Sequence, residues 1–276
     1  MIDLHSHLLP GIDDGPAGTK GSLEMARVAV EAGTTTMACT PHILGRDPTS
    51  PEEIADGVHA FRTKLEAAEI PLEIVPGGEI DLETLERLDD ETLRRLSYGG
   101  NGTWLLLEMP FERWPTDLGA LLDELEVRGF RAVLAHPERA AAVQRQPDRL
   151  REAVGRGALC QLTASSLTGD HGAAAERTAE RLLALGWAHL LASDAHSATW
   201  RPPGLLPGLA AASSYLGCGA GDLSWMVREG PALVLQGADA RPPRLSGPRE
   251  SPAAAGRGSP AQPRPRPSSR PGRPPG

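Results

Sequence analysis

From residue 2 to about residue 195, short apolar runs rich in β-branched residues alternate with amphipathic stretches of helical period. Few folds accept that order. Parallel strands cannot be joined by hairpins, so each needs a crossover, and helices then cover the sheet. The spacing predicts strands over 2–5, 35–40, 72–76, 104–108, 131–135, 158–163 and 189–193. It predicts helices over 21–32, 52–68, 82–96, 117–128, 148–156 and 174–186, several closed by a stop glycine at Gly33, Gly129, Gly157 and Gly186. Pro51 followed by Glu52 and Glu53 is a good helix start. Seven β/α units amount to a barrel one unit short of the usual eight, and a chain of 276 residues is an ordinary size for one such domain. One or two further helices are expected within 203–236, around Leu205–Leu216 and Asp222–Glu229.

The ends of those strands carry the chemistry. In a parallel β/α barrel the active site gathers at the carboxyl ends of the strands. His5 and His7 close the first expected strand as H-x-H, a spacing that points both imidazoles to one face. His42 follows the second in Thr40-Pro41-His42, Glu79 follows the third in Pro76-Gly77-Gly78-Glu79, and Glu108 closes the fourth. His136 follows the fifth in Ala135-His136-Pro137-Glu138-Arg139, and Asp194 with His196 follows the last. Asp14 lies in the first loop, Gly11-Ile12-Asp13-Asp14-Gly15. Taken singly, each has a plainer reading: a hydrogen-bonded histidine, a helix-cap acid at Glu79, a turn residue at Asp14. Taken together, they fall on one rim. Glu108 ends the apolar run Trp104-Leu105-Leu106-Leu107, where a buried unpaired carboxylate is costly and a metal would remove the cost. The set is therefore expected to hold more than one metal ion. His59, His171 and His189 fall outside the pattern and are read as structural.

Arg139 and Arg201 lie three and five residues past His136 and His196. They are either surface arginines or a phosphate clamp, and a guanidinium fork suits phosphate oxygens better than lysine does. Their place on the rim favours the clamp. A cysteine phosphatase needs C-x5-R, whereas Cys39 and Arg46 stand as C-x6-R with Pro41 removing one backbone donor. No P-loop and no G-x-G-x-x-G after a strand occurs.

Composition narrows the setting. The formal charge is −8 overall, but residues 241–276 hold eight Arg and one Glu, a net of +7, which leaves −15 on residues 1–240. That excludes nucleic-acid binding as the main business of the fold. The same 241–276 segment contains eleven Pro, cannot bury enough surface to fold, and is expected to be a disordered tail after a 1–240 catalytic domain. Docking of that tail on a partner or an anionic membrane is the functional alternative. Cys39, Cys160 and Cys218 form no framework, the N-terminus lacks a signal-peptide pattern, and no run of about 18 apolar residues occurs. A cytoplasmic protein is expected.

Residues 1–15, Met1-Ile2-Asp3-Leu4-His5-Ser6-His7-Leu8-Leu9-Pro10-Gly11-Ile12-Asp13-Asp14-Gly15, resemble the capsule and exopolysaccharide tyrosine-protein phosphatases of the polymerase-and-histidinol-phosphatase (PHP) superfamily. So do Ser22-Leu23-Glu24-Met25-Ala26, Ala135-His136-Pro137-Glu138-Arg139 and Ser193-Asp194-Ala195-His196. The likeness runs over about residues 1–236; Ile43 departs from it, standing where relatives often carry a second histidine. It implies an α/β fold of PHP type, a distorted (β/α)7 barrel, with three divalent ions, manganese by family habit, although iron or zinc suits the same donors. The implied partition gives His5, His7, Glu79 and Asp194 to one ion, Glu79, Glu108 and His136 to a second, and Asp14, His42 and His196 to a third. It further implies metal-assisted hydrolysis of phosphotyrosine on a protein, the tyrosine-rich tail of a bacterial exopolysaccharide kinase being the expected partner. Arg139 and Arg201 would clamp the phosphoryl oxygens, and Asp14 or a cluster histidine would supply a proton. A small-molecule phosphatase such as a histidinol-phosphate phosphatase is the alternative, and oligomerisation is left open.

Overall fold

The strands expected at 35–40 and 72–76 are each followed by a second short strand that the sequence reading did not place. Both changes have local causes. The computed structural model describes residues 1–46 and 48–240, so the tail expected at 241–276 lies outside the described residues. Nine strands appear among the described residues: β1 Ile2–Asp3, β2 Thr36–Cys39, β3 His42–Ile43, β4 Glu73–Pro76, β5 Glu79–Asp81, β6 Trp104–Glu108, β7 Arg131–Ala135, β8 Leu159–Thr163 and β9 Leu190–Ala192. All their pairings are parallel, in two sheets ordered β1-β2-β4 and β3-β5-β6-β7-β8-β9. Pro41, which has no N–H to give a ladder, separates β2 from β3. Gly77 and Gly78 separate β4 from β5, and a Cβ at Gly78 would meet Ile43 Cγ1 at 2.8 Å. Each break steps the chain from the small sheet to the large one, and β3 and β5 pair with His42 opposite Glu79.

The first strand is also tied to the last. Ser6 and Ala195 form a parallel bridge, His7 donates its N–H to Ala195 O at 2.9 Å, and Asp194 donates to His5 O at 2.9 Å.

Ten α-helices occur among the described residues. α1 Thr19–Glu31, α2 Pro51–Ala67, α5 Leu118–Val127, α7 Leu150–Gly155, α8 Ala173–Ala184 and α9 Leu206–Leu216 fall where the periodicity places helices. α2 begins with a capping box between Ser50 and Glu53. The single helix expected at 82–96 is two, α3 Leu82–Leu85 and α4 Asp90–Leu96, because Asp89 accepts the Thr92 N–H and starts a new N-terminus. α6 Ala141–Arg145 was not expected. The helix expected at Asp222–Glu229 is a 3-10 segment, followed by α10 Glu229–Leu235. The four stop glycines all have positive φ. No helix among the described residues is long and apolar enough to cross a membrane.

Strand alternation sorts the core into two layers. Leu105 and Leu107 pack outward against the helices, while Trp104 and Leu106 join Leu4, Tyr98, Val133, Leu159 and Leu190 on the inner face. Glu108, Gln161 and Asp194 continue that inner parity one step further along their strands and the loop beyond. The polar centre therefore rests on an apolar floor. At the far end Trp104 Nε1 donates to Ala238 O at 2.9 Å and Asn101 Nδ2 to Val234 O at 2.8 Å, fastening α10 and the segment after it beneath the strands.

His189, just before β9, is 5% exposed, and its Nδ1 accepts the Cys160 N–H at 2.8 Å. Burial pushes its pKa down to about 4. A base lowered in this way contributes full stability above its unfolded value near 6.5 and loses it as pH falls towards the folded value. His189→Asn keeps an acceptor at that place and cannot titrate. In metal-free protein, urea midpoints should fall less for His189→Asn than for the parent between about pH 7 and pH 4, by up to about 3 kcal/mol of stability. Parallel falls would show that His189 does not set the acid response.

Candidate metal centre

Nine side chains from six strand ends and the first loop meet above that floor. His5 and His7 come from the end of β1, His42 opens β3, Glu79 opens β5, Glu108 closes β6, and His136 follows β7. Asp194 and His196 follow β9, and Asp14 reaches in from its loop. Every residue expected on the rim is there. Two of them hold unusual backbone: His136 at φ 31° and Asp194 at φ 50° are two of three non-glycine residues with positive φ among the described residues. Such conformations persist only where surroundings enforce them, and they cluster at functional sites.

Glu79 is the hub. Its Oε2 lies 3.2 Å from His5 Nε2, 3.4 Å from His7 Nε2 and 3.0 Å from His42 Nδ1, and its Oε1 lies 2.8 Å from His136 Nε2. Asp194 Oδ1 sits 3.3 Å from His5 Nε2 and 3.4 Å from His7 Nε2. Asp14 Oδ1 sits 3.2 Å from His196 Nε2 and 3.5 Å from His42 Nε2. Glu108 approaches His42 at 3.8 Å and His136 at 3.9 Å. Donor atoms within 4.8 Å of one another form four groups: His7 with Asp14, His42 and His196; His5 with Glu79 and His136; His5 with His7 and Asp194; His42 with Glu79 and Glu108. These groups overlap at His5, His7, His42 and Glu79.

A cation fits what the side chains leave unsettled. Glu79 is buried, and neither its Oε2 nor His42 Nδ1 has a hydrogen bond of acceptable geometry, although both are surrounded by polar atoms. Nitrogen lone pairs and carboxylate oxygens aimed at one another's neighbourhood are what a metal ligates. Burial alone would raise Glu79 and Asp194, but His5 and the other imidazoles hold both carboxyls well below the usual range. Glu108 instead is pushed up to about 7, by burial first and then by the Glu79 charge. Divalent charge placed among them would offset that repulsion.

The arginines converge on the same carboxylate. Arg139, in the 3-10 turn Pro137–Arg139, and Arg201 both donate to Asp194 Oδ2, and Arg201 Nη1 lies 3.2 Å from His196 Nε2. With Phe111 and seven of the nine candidate ligands they line a pocket of about 300 Å³. His5 and His7 lie beneath it. The cysteines stay out: Cys39 and Cys160 are buried, and burial pushes both thiols up to about 12. His171 and His189 bond elsewhere, to Ser165 Oγ and the Cys160 N–H.

Sequence reasoning missed the groups that aim the ligands. Asp13 Oδ2 accepts from His7 Nδ1 at 2.6 Å and from the His42 N–H at 3.2 Å, while its Oδ1 accepts the Gly15 N–H. Gln161 is fully buried, with its amide nitrogen placed 3.1 Å from His5 Nδ1; turned end for end, the amide presents Oε1 to an Nδ1–H. Glu138 is fully buried and ties its turn to β8 through the Thr163 N–H and Ser166 Oγ. One signal was available: a lone amide in the apolar run Leu159-Cys160-Gln161-Leu162 needs a partner. A ligand bound through Nε2 carries its proton on Nδ1, and the partner there fixes ring and tautomer. Gln161→Leu should lower metal affinity by about 10–100-fold in equilibrium competition with a chelator. An unchanged affinity would remove Gln161 from the centre.

The family model for capsular polysaccharide synthesis proteins, CpsB/CapC, matches residues 1–221. The tyrosine-protein phosphatase YwqE of Bacillus subtilis is 35% identical over 205 residues, covering 73% of this chain and 79% of that protein. The putative tyrosine-protein phosphatase CapC of Staphylococcus aureus is 31% identical, with the same coverage. Crystal structures of YwqE and of CpsB from Streptococcus pneumoniae, described as unique metal-dependent tyrosine phosphatases, include one that superposes with a TM-score of 0.78 at 31% identity, covering 86% of this chain and 95% of the other.

Proposed function

Because the chain belongs to the CpsB/CapC family of capsular polysaccharide synthesis proteins, we propose that it is a metal-dependent protein-tyrosine phosphatase. The observation that carries the reading is the convergence of three imidazoles on one oxygen of buried Glu79, beside two arginines in an open pocket. The chain's residues 1–240 form the catalytic domain, and its two sheets are the arcs of a distorted (β/α)7 barrel. Three divalent ions, manganese in the first instance with iron or zinc acceptable to the same donors, would be held as follows. His5, His7, Glu79 and Asp194 would hold one, Glu79, Glu108 and His136 a second, and Asp14, His42 and His196 a third. The ions supply Lewis acidity and a water acidified towards neutral pH.

The protein's own residues do the remainder. Arg139 and Arg201 hold the non-bridging oxygens of a phosphomonoester and stabilise the charge that spreads over them as the ester bond breaks. Asp194 sets their direction. A phenolate of pKa about 10 needs little acid assistance. Asp14, with 60% of its side chain exposed, stands where it can relay a proton to the departing oxygen. The substrate we assign is phosphotyrosine on a protein, a bacterial tyrosine kinase of capsule or exopolysaccharide synthesis, met in the cytoplasm.

Purified protein should hydrolyse a phosphotyrosyl peptide faster than histidinol phosphate, lose that activity to a chelator, and regain it with added manganese. Comparable rates on both esters would contradict the tyrosine assignment, and chelator resistance would contradict the metal assignment. His136→Ala or Asp194→Ala should reduce turnover at least about 1,000-fold and lower bound metal per chain. Arg139→Ala should reduce kcat/KM by about 100-fold with metal content unchanged; parental kcat/KM in that variant would refute the clamp.

A further inference from the structure

Six large apolar side chains are exposed among the described residues, and three of them stand within four residues after candidate ligands. Leu44 comes two residues after His42, Phe111 three after Glu108, and Trp200, 63% exposed, four after His196. Single exposed apolar residues need no explanation, but aromatics at a charged pocket and at the groove adjoining it do. Phe111 is the sole apolar residue lining the 300 Å³ pocket. Trp200 lines an adjoining groove of about 630 Å³ that shares His196 with that pocket.

The two aromatics are also held in equivalent ways. Phe111 stacks on the His136 imidazole with centroids 5.7 Å apart and planes 14° apart, and the Arg139 guanidinium carbon lies 5.5 Å from its ring centre. Trp200 meets His196 edge-on at 5.8 Å, with the Arg201 guanidinium carbon 5.6 Å from its ring centre. Each arginine thus has Asp194 Oδ2 on one side and an aromatic ring on another. Such contacts restrain the rings before any ligand arrives.

On the phosphatase reading above, we propose that Phe111 and Trp200 form an apolar lip that selects the aromatic ring of an aryl phosphomonoester. A phosphoryl group held by Arg139 and Arg201 directs its ester oxygen outward, so the first carbons of the alcohol reach the lip. An alkyl ester offers one narrow methylene there. An aryl ester offers a flat ring, which gains both burial and edge or face contacts with Phe111 and Trp200. Discrimination between tyrosine and serine esters is then built into binding and not left to leaving-group chemistry alone.

Phenylphosphonate and methylphosphonate test this, since they share the phosphonyl group, differ only beyond it and are not hydrolysed. Titration calorimetry on the metal-loaded full chain should show phenylphosphonate binding about tenfold tighter. In F111A/W200A that preference should fall to within about twofold, with metal per chain unchanged, while F111Y/W200F should keep it. An undiminished preference in F111A/W200A, equal weakening of both ligands, or no preference in the parent would each overturn the proposal. Turnover of a phosphotyrosyl peptide is recorded on the same preparation. Its absence would contradict the phosphatase reading, and the binding ratio would still decide the lip.

Discussion

One buried oxygen, Glu79 Oε2, organises this molecule. Three imidazoles from two segments of chain stand within 3.4 Å of it, and a fourth reaches the other oxygen of the same carboxylate. Taking so many ionisable groups out of water is costly unless charge and lone pairs are matched. Hydrogen bonding does not match them, because several nitrogens compete for one oxygen without good geometry. Divalent cations between these atoms would turn the mismatch into ligation. Metal affinity and order at the rim are then one free energy, as in other sites whose ligands are brought together only by folding.

Much of the local structure serves that oxygen. The break at Gly77 and Gly78 steps the chain across to the large sheet just before Glu79, so the carboxylate is delivered opposite His42 at the first residue of β5. Pro41 does the same for His42. Left-handed backbone at His136 and Asp194 turns both side chains inward from strand ends. Below them, Leu106, Val133 and Leu159 form a dry floor that excludes water from one side of the cluster. Above them, Asp194 faces two ways: Oδ1 towards His5 and His7, Oδ2 towards Arg139 and Arg201. Any change at Asp194 must therefore disturb the candidate ligands and the proposed clamp together, whereas Phe111 and Trp200 touch His136, Arg139, His196 and Arg201 from the outside.

The candidate rim was legible because its logic is one-dimensional. Candidate ligands placed just after apolar runs, as at Glu108 after Trp104-Leu105-Leu106-Leu107, declare themselves once the runs are read as parallel strands. What stayed hidden depends on three dimensions. Nothing in Pro76-Gly77-Gly78-Glu79 announces a change of sheet, since glycine there answers to the proximity of Ile43, a residue over thirty positions away. The division of 82–96 turns on Asp89 acting as a cap, and its period-based reading as one helix ignored that option. Asp13 and Gln161 are polar residues whose partners, His7 and His5, can be named only when strand neighbours are known. The aromatic residues at 111 and 200 fall in loops, and only their exposure and position relative to the pocket single them out.

The central claim is that these imidazoles and carboxylates enclose cations around Glu79. Anomalous diffraction from crystals loaded with manganese measures this directly. The account predicts anomalous peaks about 2.2 Å from His5 Nε2, His7 Nε2 and the Glu79 carboxylate, within reach of Asp194. Well-ordered crystals in the same loading solution with no peak among these residues would contradict it.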